Sequence, residues 1–382
     1  MAVRVFNTQG CCTPEENYMV DISDRVMKIK TMVDEGKYFT INKARQYGKT
    51  TTLRALAQAL GGEYRVMNLD FQNISEAGFR TEENFVRTFC RLLVKKGPNA
   101  GMPDSILSSL KEINQRTDNP AVLDELFDIL VHWCSMSDLP VVLIIDEVDS
   151  ASNNQVFLDF LSMLRLQYLE RKSDPTYKAF KSVILSGVID IKNLKRKLNP
   201  GETQKFNSPW NIAADFDVDM SLPIEGIIGM LETYESDCHT GMDTAAVAKE
   251  IYAWTGGYPF LVSRICLLID RQIKESNQEA ASAWSVQGVS AAAKRILVEK
   301  NTLFDSLMGK VCESSVISRT LERILFAGDI VMYNPDSVEI SDLEMYGLIA
   351  NHSGNVAIAN RLFESRLYNY FLSVDKMQEA PH

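Results

Sequence analysis

Residues 140 to 149, "PVVLIIDEVD", place five apolar side chains in a row after a proline and end them in acids. The run lacks the polar alternation of a strand with one wet face, and it is far short of the roughly 20 residues a bilayer-spanning helix needs. It suits a strand buried on both sides, the usual state of strands in a parallel sheet covered by helices. Further strands are expected in "KYFTIN", "EYRVMNLDFQ", "FKSVILSGV" and "DFDVDMSL". Between them the apolar residues recur at helical spacing, as in Val26, Ile29, Met32 and Val33 or Leu123, Leu126, Phe127 and Leu130. Strands alternating with helices over residues 37 to 222 predict a doubly wound α/β domain.

The C-terminal part reads differently. "TAAVAKEIYAWTGGYPFLVSRICLLIDRQI" gives two helices broken at "GGYP", a small helical subdomain. "NQEAASAWSVQGVSAAAK" has the composition of a linker. Helices follow from about 300, then "LIANHSGNVAIAN" as a β-hairpin and a closing helix, an order that is winged-helix-like. The expected division is a lead-in over 1–36, a core over 37–222, a helical lid over 223–298 and the winged-helix-like module over 299–382.

Composition narrows the function classes. The net charge of −10 disfavours a surface built mainly for nucleic-acid phosphates. The exception is one basic loop, "IDIKNLKRKLNPGE", with Lys192, Lys195, Arg196 and Lys197. Its bland reading is a solvated face; the sharper one is contact with nucleic acid or an acidic partner. Seven cysteines without a Cys-x-x-Cys pair, and four histidines far apart, argue against a disulfide framework and a zinc site. The N-terminus carries no signal-type apolar block, so a cytoplasmic protein with no membrane association is expected.

The chemistry concentrates in "NKARQYGKTT", between a predicted strand and a predicted helix. In such a loop backbone N–H groups wrap phosphates, a lysine adds positive charge, and the next hydroxyl ligates magnesium. Gly48-Lys49-Thr50-Thr51 supplies the second half of the G-x-x-x-x-G-K-[ST] pattern, while Lys43 stands where the first glycine is expected. Taken alone, the segment could be a strand-turn-helix with a chance GKT. Asp146 and Glu147, about 100 residues on at the end of the apolar strand, are the second signal. A nucleotide hydrolase needs one carboxylate there for the metal's water shell and another to polarise the attacking water.

This order resembles the additional-strand, catalytic-glutamate class of P-loop ATPases. More narrowly, it resembles the AAA-like and STAND-type ATPases of bacteria and archaea, whose loops often lack the first glycine and carry an arginine, here Arg45, before Gly-Lys-Thr. The "SPWNI" element at Ser208 to Ile212 and "GGYP" at Gly256 to Pro259 fit the same branch. The resemblance implies a P-loop parallel sheet flanked by helices, a helical lid, and ATP with Mg²⁺ as cofactors. It implies nucleotide contact from Arg45, Gln46, Tyr47, Gly48, Lys49, Thr50 and Thr51, with Pro259 closing over base and sugar. Thr50 and Asp146 would serve the metal, Lys49 the phosphates, Glu147 the hydrolytic water, and Ser186 would sense the γ-phosphate or simply bond backbone. Tyr18 would be core or stack on adenine, and Arg165 or Arg264 would be a transition-state arginine or a plain ion-pair residue. The implied activity is slow ATP hydrolysis driving a switch. The alternatives are a nucleotide-gated interaction protein that hardly hydrolyses and an ATP-dependent DNA-binding protein. Implied partners are ATP or ADP, an unidentified protein and a homo-oligomer supplying an arginine in trans; nucleic acid enters only through the basic loop and the winged-helix-like end.

Overall fold

Four short strands of mainly apolar residues form one parallel sheet in the computed structural model, which describes residues 4–188, 191, 209–276, 279–327 and 330–378. The chain divides into two compact units. One comprises Ser23–Asn42 and Thr52–Val218; the other comprises Met1–Ile22, Lys43–Thr51 and Asp219–His382.

The sheet unit runs α1 (Ser23–Asp34), β1 (Tyr38–Asn42), the body of α2 (Lys49–Leu60), β2 (Arg65–Asp70), α3 (Glu82–Lys96), α4 (Asp104–Gln115), α5 (Leu123–Met136), β3 (Val141–Asp146), α6 (Gln155–Ser173) and β4 (Ser182–Gly187). The strand order is β1-β4-β3-β2, every neighbouring pair parallel. All six residues of β3 and of β4 are buried, as the unbroken apolar runs predict. A cluster of phenylalanines, among them Phe71, Phe85, Phe89, Phe157 and Phe160, packs against the sheet. Thr81 caps α3 by accepting the Asn84 N–H at 3.2 Å, and two acids in that first turn suit its dipole.

"DFDVDMSL" is not a strand. The chain there is extended, and it meets the sheet through a bridge at Ala214, whose N–H donates to Tyr38 O at 2.8 Å, and the stack of Phe216 on Phe39. Asp215, Asp217 and Asp219 are exposed, and Asp219 accepts from the N–H and hydroxyl of Ser221, closing a local turn in place of a ladder. The "PWNI" part of the family element anchors β1: Trp210 is fully buried and its Nε1–H donates to Thr40 Oγ1 at 2.8 Å.

The other unit holds α7 (Ile224–Cys238), α8 (Thr244–Thr255), α9 (Pro259–Ser276), the short α10 (Ala280–Ala283), α11 (Val286–Val298), α12 (Thr302–Glu313), α13 (Ser315–Glu322), α14 (Val338–Met345), a hairpin of β5 (Ile349–His352) and β6 (Asn355–Ile358), and α15 (Arg361–Gln378). The expected linker is helical instead. Its Ala and Ser flank Trp284, which is buried against Tyr234 and Phe6, and Ser285 caps α11 through the Gly288 N–H. Ser353 and Gly354, both at positive φ, make the two-residue turn that suits a hairpin. No described helix is long and apolar enough to cross a membrane.

Candidate functional site

In a parallel sheet the carboxyl ends of the strands lie along one edge, where such folds place their ligands. Here that edge carries Asn42, Asp70, Asp146 and Gly187. Ile145 stands opposite Leu185, so Asp146 and Ser186, each one residue further on, share a face of the sheet; Asp70, opposite Asp146, shares it too. Asp146 is 6% exposed, and its Oδ1 accepts the N–H of Glu147 at 3.0 Å. Glu147 adopts φ 56, the left-handed region that non-glycine residues rarely enter. Ser186 is fully buried, and its hydroxyl finds no hydrogen-bond partner among the described residues. A buried orphan of this kind calls for an explanation, and one explanation is a missing polar ligand.

The loop Lys43–Thr51 follows β1 directly and ends in the first turn of α2. That turn, Lys-Thr-Thr, holds no acid, and neither does the first turn of α6, whereas α1 and α4 carry one each and α3 and α5 two each. The positive end of α2 therefore has no acidic side chain of its own first turn to complement it. Lys49 is 7% exposed, and its Nζ donates to the loop's own carbonyls, Lys43 O at 2.8 Å and Ala44 O at 3.1 Å. The residues in the left-handed region are Gln46 (φ 56) and Gly48 (φ 81), and Lys43 is not among them. The first-glycine position therefore needs no glycine here, because the reversal is made three residues later.

The loop is gripped by the rest of its unit. The Tyr258 hydroxyl donates to Arg45 O, and the Tyr47 ring meets Tyr258 edge-on at 4.7 Å. The Gln46 side-chain amide donates to Thr302 Oγ1 at 3.2 Å. Ala44 is buried where a Cβ added to Gly347 would come within 2.9 Å of its own. Thr51 Oγ1 accepts the Cys12 N–H at 3.2 Å. Pro259 Cγ lies 3.9 Å from where a Gly48 Cβ would be, so the "GGYP" element borders the loop. Locally that element ends α8 with Gly256 in the left-handed region and starts α9 with proline at its first position, where no N–H is missed.

Tyr18 takes the core reading. It is buried against Phe6 and Tyr234, and its hydroxyl donates to Asp237 at 3.1 Å. Arg264 makes a two-nitrogen ion pair with Glu299, and Arg165 sits half-buried on α6. The basic loop, Lys192 to Lys197, and Ser208 lie outside the described residues. Sequence reasoning missed Thr302 and Gly347, which reach the loop from far along the chain, whereas Tyr258 lies inside the "GGYP" element already singled out.

Comparison with known proteins bears on the family and the fold. The chain is 23% identical over 371 residues to an uncharacterized WD repeat-containing protein of Synechocystis sp., covering 91% of this chain but only 28% of that protein's length. The structure of a Walker-type ATPase of Pyrococcus abyssi superposes with a TM-score of 0.59 over 95% of this chain and 99% of that one, at 12% identity. The ORC2 protein of Aeropyrum pernix, solved as ADPNP-ADP complexes, gives 0.50 over 100% and 99%, also at 12% identity. At that identity the two structures establish a shared fold. The sequence model of the AAA-like domain matches residues 16–372, nearly the whole chain, and the protein therefore belongs to the AAA-like domain family of P-loop ATPases.

Proposed function

We propose that the chain binds Mg·ATP at the Lys43–Thr51 loop, hydrolyses it slowly, and uses the lid and the winged-helix-like end as a nucleotide-dependent switch. The observation that carries this reading is Lys49: a nearly buried ammonium at the head of α2, drawn onto carbonyls of its own loop. Charge-assisted bonds to phosphate oxygens are stronger than bonds to neutral carbonyls, so a triphosphate would displace those contacts.

The residues fit the implied cofactor. The acid-free first turn of α2 and the nearly buried Asp146 have the donor and acceptor chemistry it requires, and the orphan Ser186 hydroxyl would gain a partner. Thr50 and Asp146 would hold magnesium, whose chemistry is to neutralise phosphate charge. Lys49 would bind phosphate oxygen, Glu147 would orient the hydrolytic water, and backbone N–H groups of Gln46 to Thr50 would cradle the anion. The fastening of the loop by Tyr258, Thr302 and Gly347 supports the switch, since elements that touch the loop must respond when it takes up a ligand.

Lys49→Ala is expected to abolish ATP binding measured by calorimetry; retained affinity would overturn the assignment of this loop. A second reading, a gated interaction protein with little turnover, is favoured by the pairing of Arg264 with Glu299, which occupies one candidate arginine. Stoichiometric binding without steady-state phosphate release would select it.

A further inference from the structure

The residue that would orient water, Glu147, sits in a backbone conformation costing about 1–3 kcal/mol, and such conformations persist where the surroundings over-determine them. The next three residues supply that determination. Val148 is fully buried. The Asp149 carboxylate accepts the N–H of Val188 with both oxygens, at 2.8 and 3.0 Å. Ser150 Oγ donates to Phe71 O at 3.3 Å. Val188 follows the last residue of β4, and Phe71 follows the last residue of β2. The turn after β3 is therefore tied to both strands that flank it.

A second observation concerns Gly187. A Cβ there would lie 2.8 Å from Asp149 Oδ1 and 3.1 Å from Val148 Cγ2, so the carboxylate occupies the volume where any other side chain would begin. The glycine keeps an ordinary φ, so its need is steric. Its absent side chain makes room for Asp149.

We propose that Asp149 is a positioning residue: seated over Gly187 and bonded to Val188, it holds Glu147 in its left-handed turn and fixes it to the strand that carries Ser186. The proposal rests on the role of Glu147 given above. A carboxylate suits the task because its hydrogen bonds to backbone N–H groups are roughly twice as strong as neutral ones.

The test compares wild type with Asp149→Asn, Asp149→Ala, Gly187→Ala, the double variant Asp149→Ala/Gly187→Ala and Glu147→Gln in the full chain. It measures ATP turnover, ATP affinity, melting temperature and the amide resonances of ¹⁵N-labelled Glu and Val. Asp149→Ala and Gly187→Ala are each expected to lower kcat roughly 10²-fold with ATP affinity changed less than about two-fold. Both are expected to move the Glu147 and Val188 amide resonances, and the double variant should be no slower than the singles, since both break one contact. Asp149→Asn, which keeps one acceptor oxygen, should recover part of the rate, and it carries the same readouts if the alanine variant does not fold.

Near-wild-type kcat in Asp149→Ala and Gly187→Ala beside an inactive Glu147→Gln overturns the positioning role and leaves that of Glu147 standing. Wild-type turnover in Glu147→Gln overturns the role of Glu147 and this proposal with it. A rate loss that merely follows lost ATP binding and a lower melting temperature also overturns the proposal. If the wild type itself does not turn over, the resonances decide: an unmoved Glu147 amide in Asp149→Ala overturns the strap, and a moved one supports it.

Discussion

Replacing Tyr258 with phenylalanine removes one hydroxyl and leaves the ring, which keeps its edge-on contacts with Tyr47 at 4.7 Å and Phe363 at 5.4 Å. The hydroxyl donates to the carbonyl of Arg45, in the middle of the loop. Burial pushes the Tyr258 phenol well above its ordinary pKa, so it remains a donor throughout the neutral range. A neutral hydrogen bond contributes about 0.5–1.5 kcal/mol net, and a stranded buried carbonyl adds about 1–3. Arg45 is exposed, so water can reach its carbonyl, and the expected cost settles near 1 kcal/mol. If that energy orders the loop for phosphate, ATP affinity should fall about 5-fold, since about 1.4 kcal/mol is tenfold. Calorimetry of ATP binding beside a melting curve separates the two effects. A lowered melting temperature with unchanged or tighter affinity would refute the reasoning, because the hydroxyl would then steady the junction of α8 and α9 without preparing the loop.

Three further outcomes are expected. Gly257→Ala sets a Cβ 2.4 Å from the Leu222 carbonyl at φ +76 and should cost more than about 2 kcal/mol, while Gly229→Ala, exposed within α7 with nothing near, should raise stability by about 0.5–1 kcal/mol; paired melts check both. Gly347→Ala should weaken ATP binding because its Cβ would press on Ala44, whereas Gly354→Ala, in open space at a similar φ, should leave binding unchanged and cost only backbone strain of about 1 kcal/mol in a denaturant titration. Burial pushes the Glu235 carboxyl up, but hydrogen bonds from the Thr240 hydroxyl and the N–H groups of Gly241 and Thr240 outweigh it and hold it below its ordinary value. Its contribution is therefore present above about pH 4.3 and lost as pH falls through the lower folded value. Glu235→Gln should flatten that part of the acid-unfolding curve; an unaltered acid limb would count against the lowered pKa.

The sheet was legible because its strands are runs of apolar and β-branched residues ending in chemistry: "VVLIID" and "SVILSG" are both buried throughout. "DFDVDMSL" has the alternation of a strand, but its alternate aspartates are exposed and Asp219 closes a local turn, and no period distinguishes that from a ladder. The segment around Trp284 looked loose because small residues dominate its composition, and one buried indole outweighed them. The family was readable from Gly48-Lys49-Thr50 and the Asp146-Glu147 pair, and the roles of those residues are the ones proposed above. What grips the loop was legible only in part: Tyr258 belongs to the "GGYP" element, while Thr302 and Gly347 reach the loop through the tertiary fold and leave no local pattern.

The backbone signs of the loop also divide its positions by their freedom to vary. Position 43 has an ordinary φ and can carry any side chain without backbone penalty, so lysine there is a chemical choice open to drift. Positions 46 and 48 hold the left-handed turns, and a β-branched residue at either would strain the chain. Lineages derived from this chain should therefore diversify at 43 and stay narrow at 46 and 48, whereas a first-glycine loop is narrow at 43 and 48.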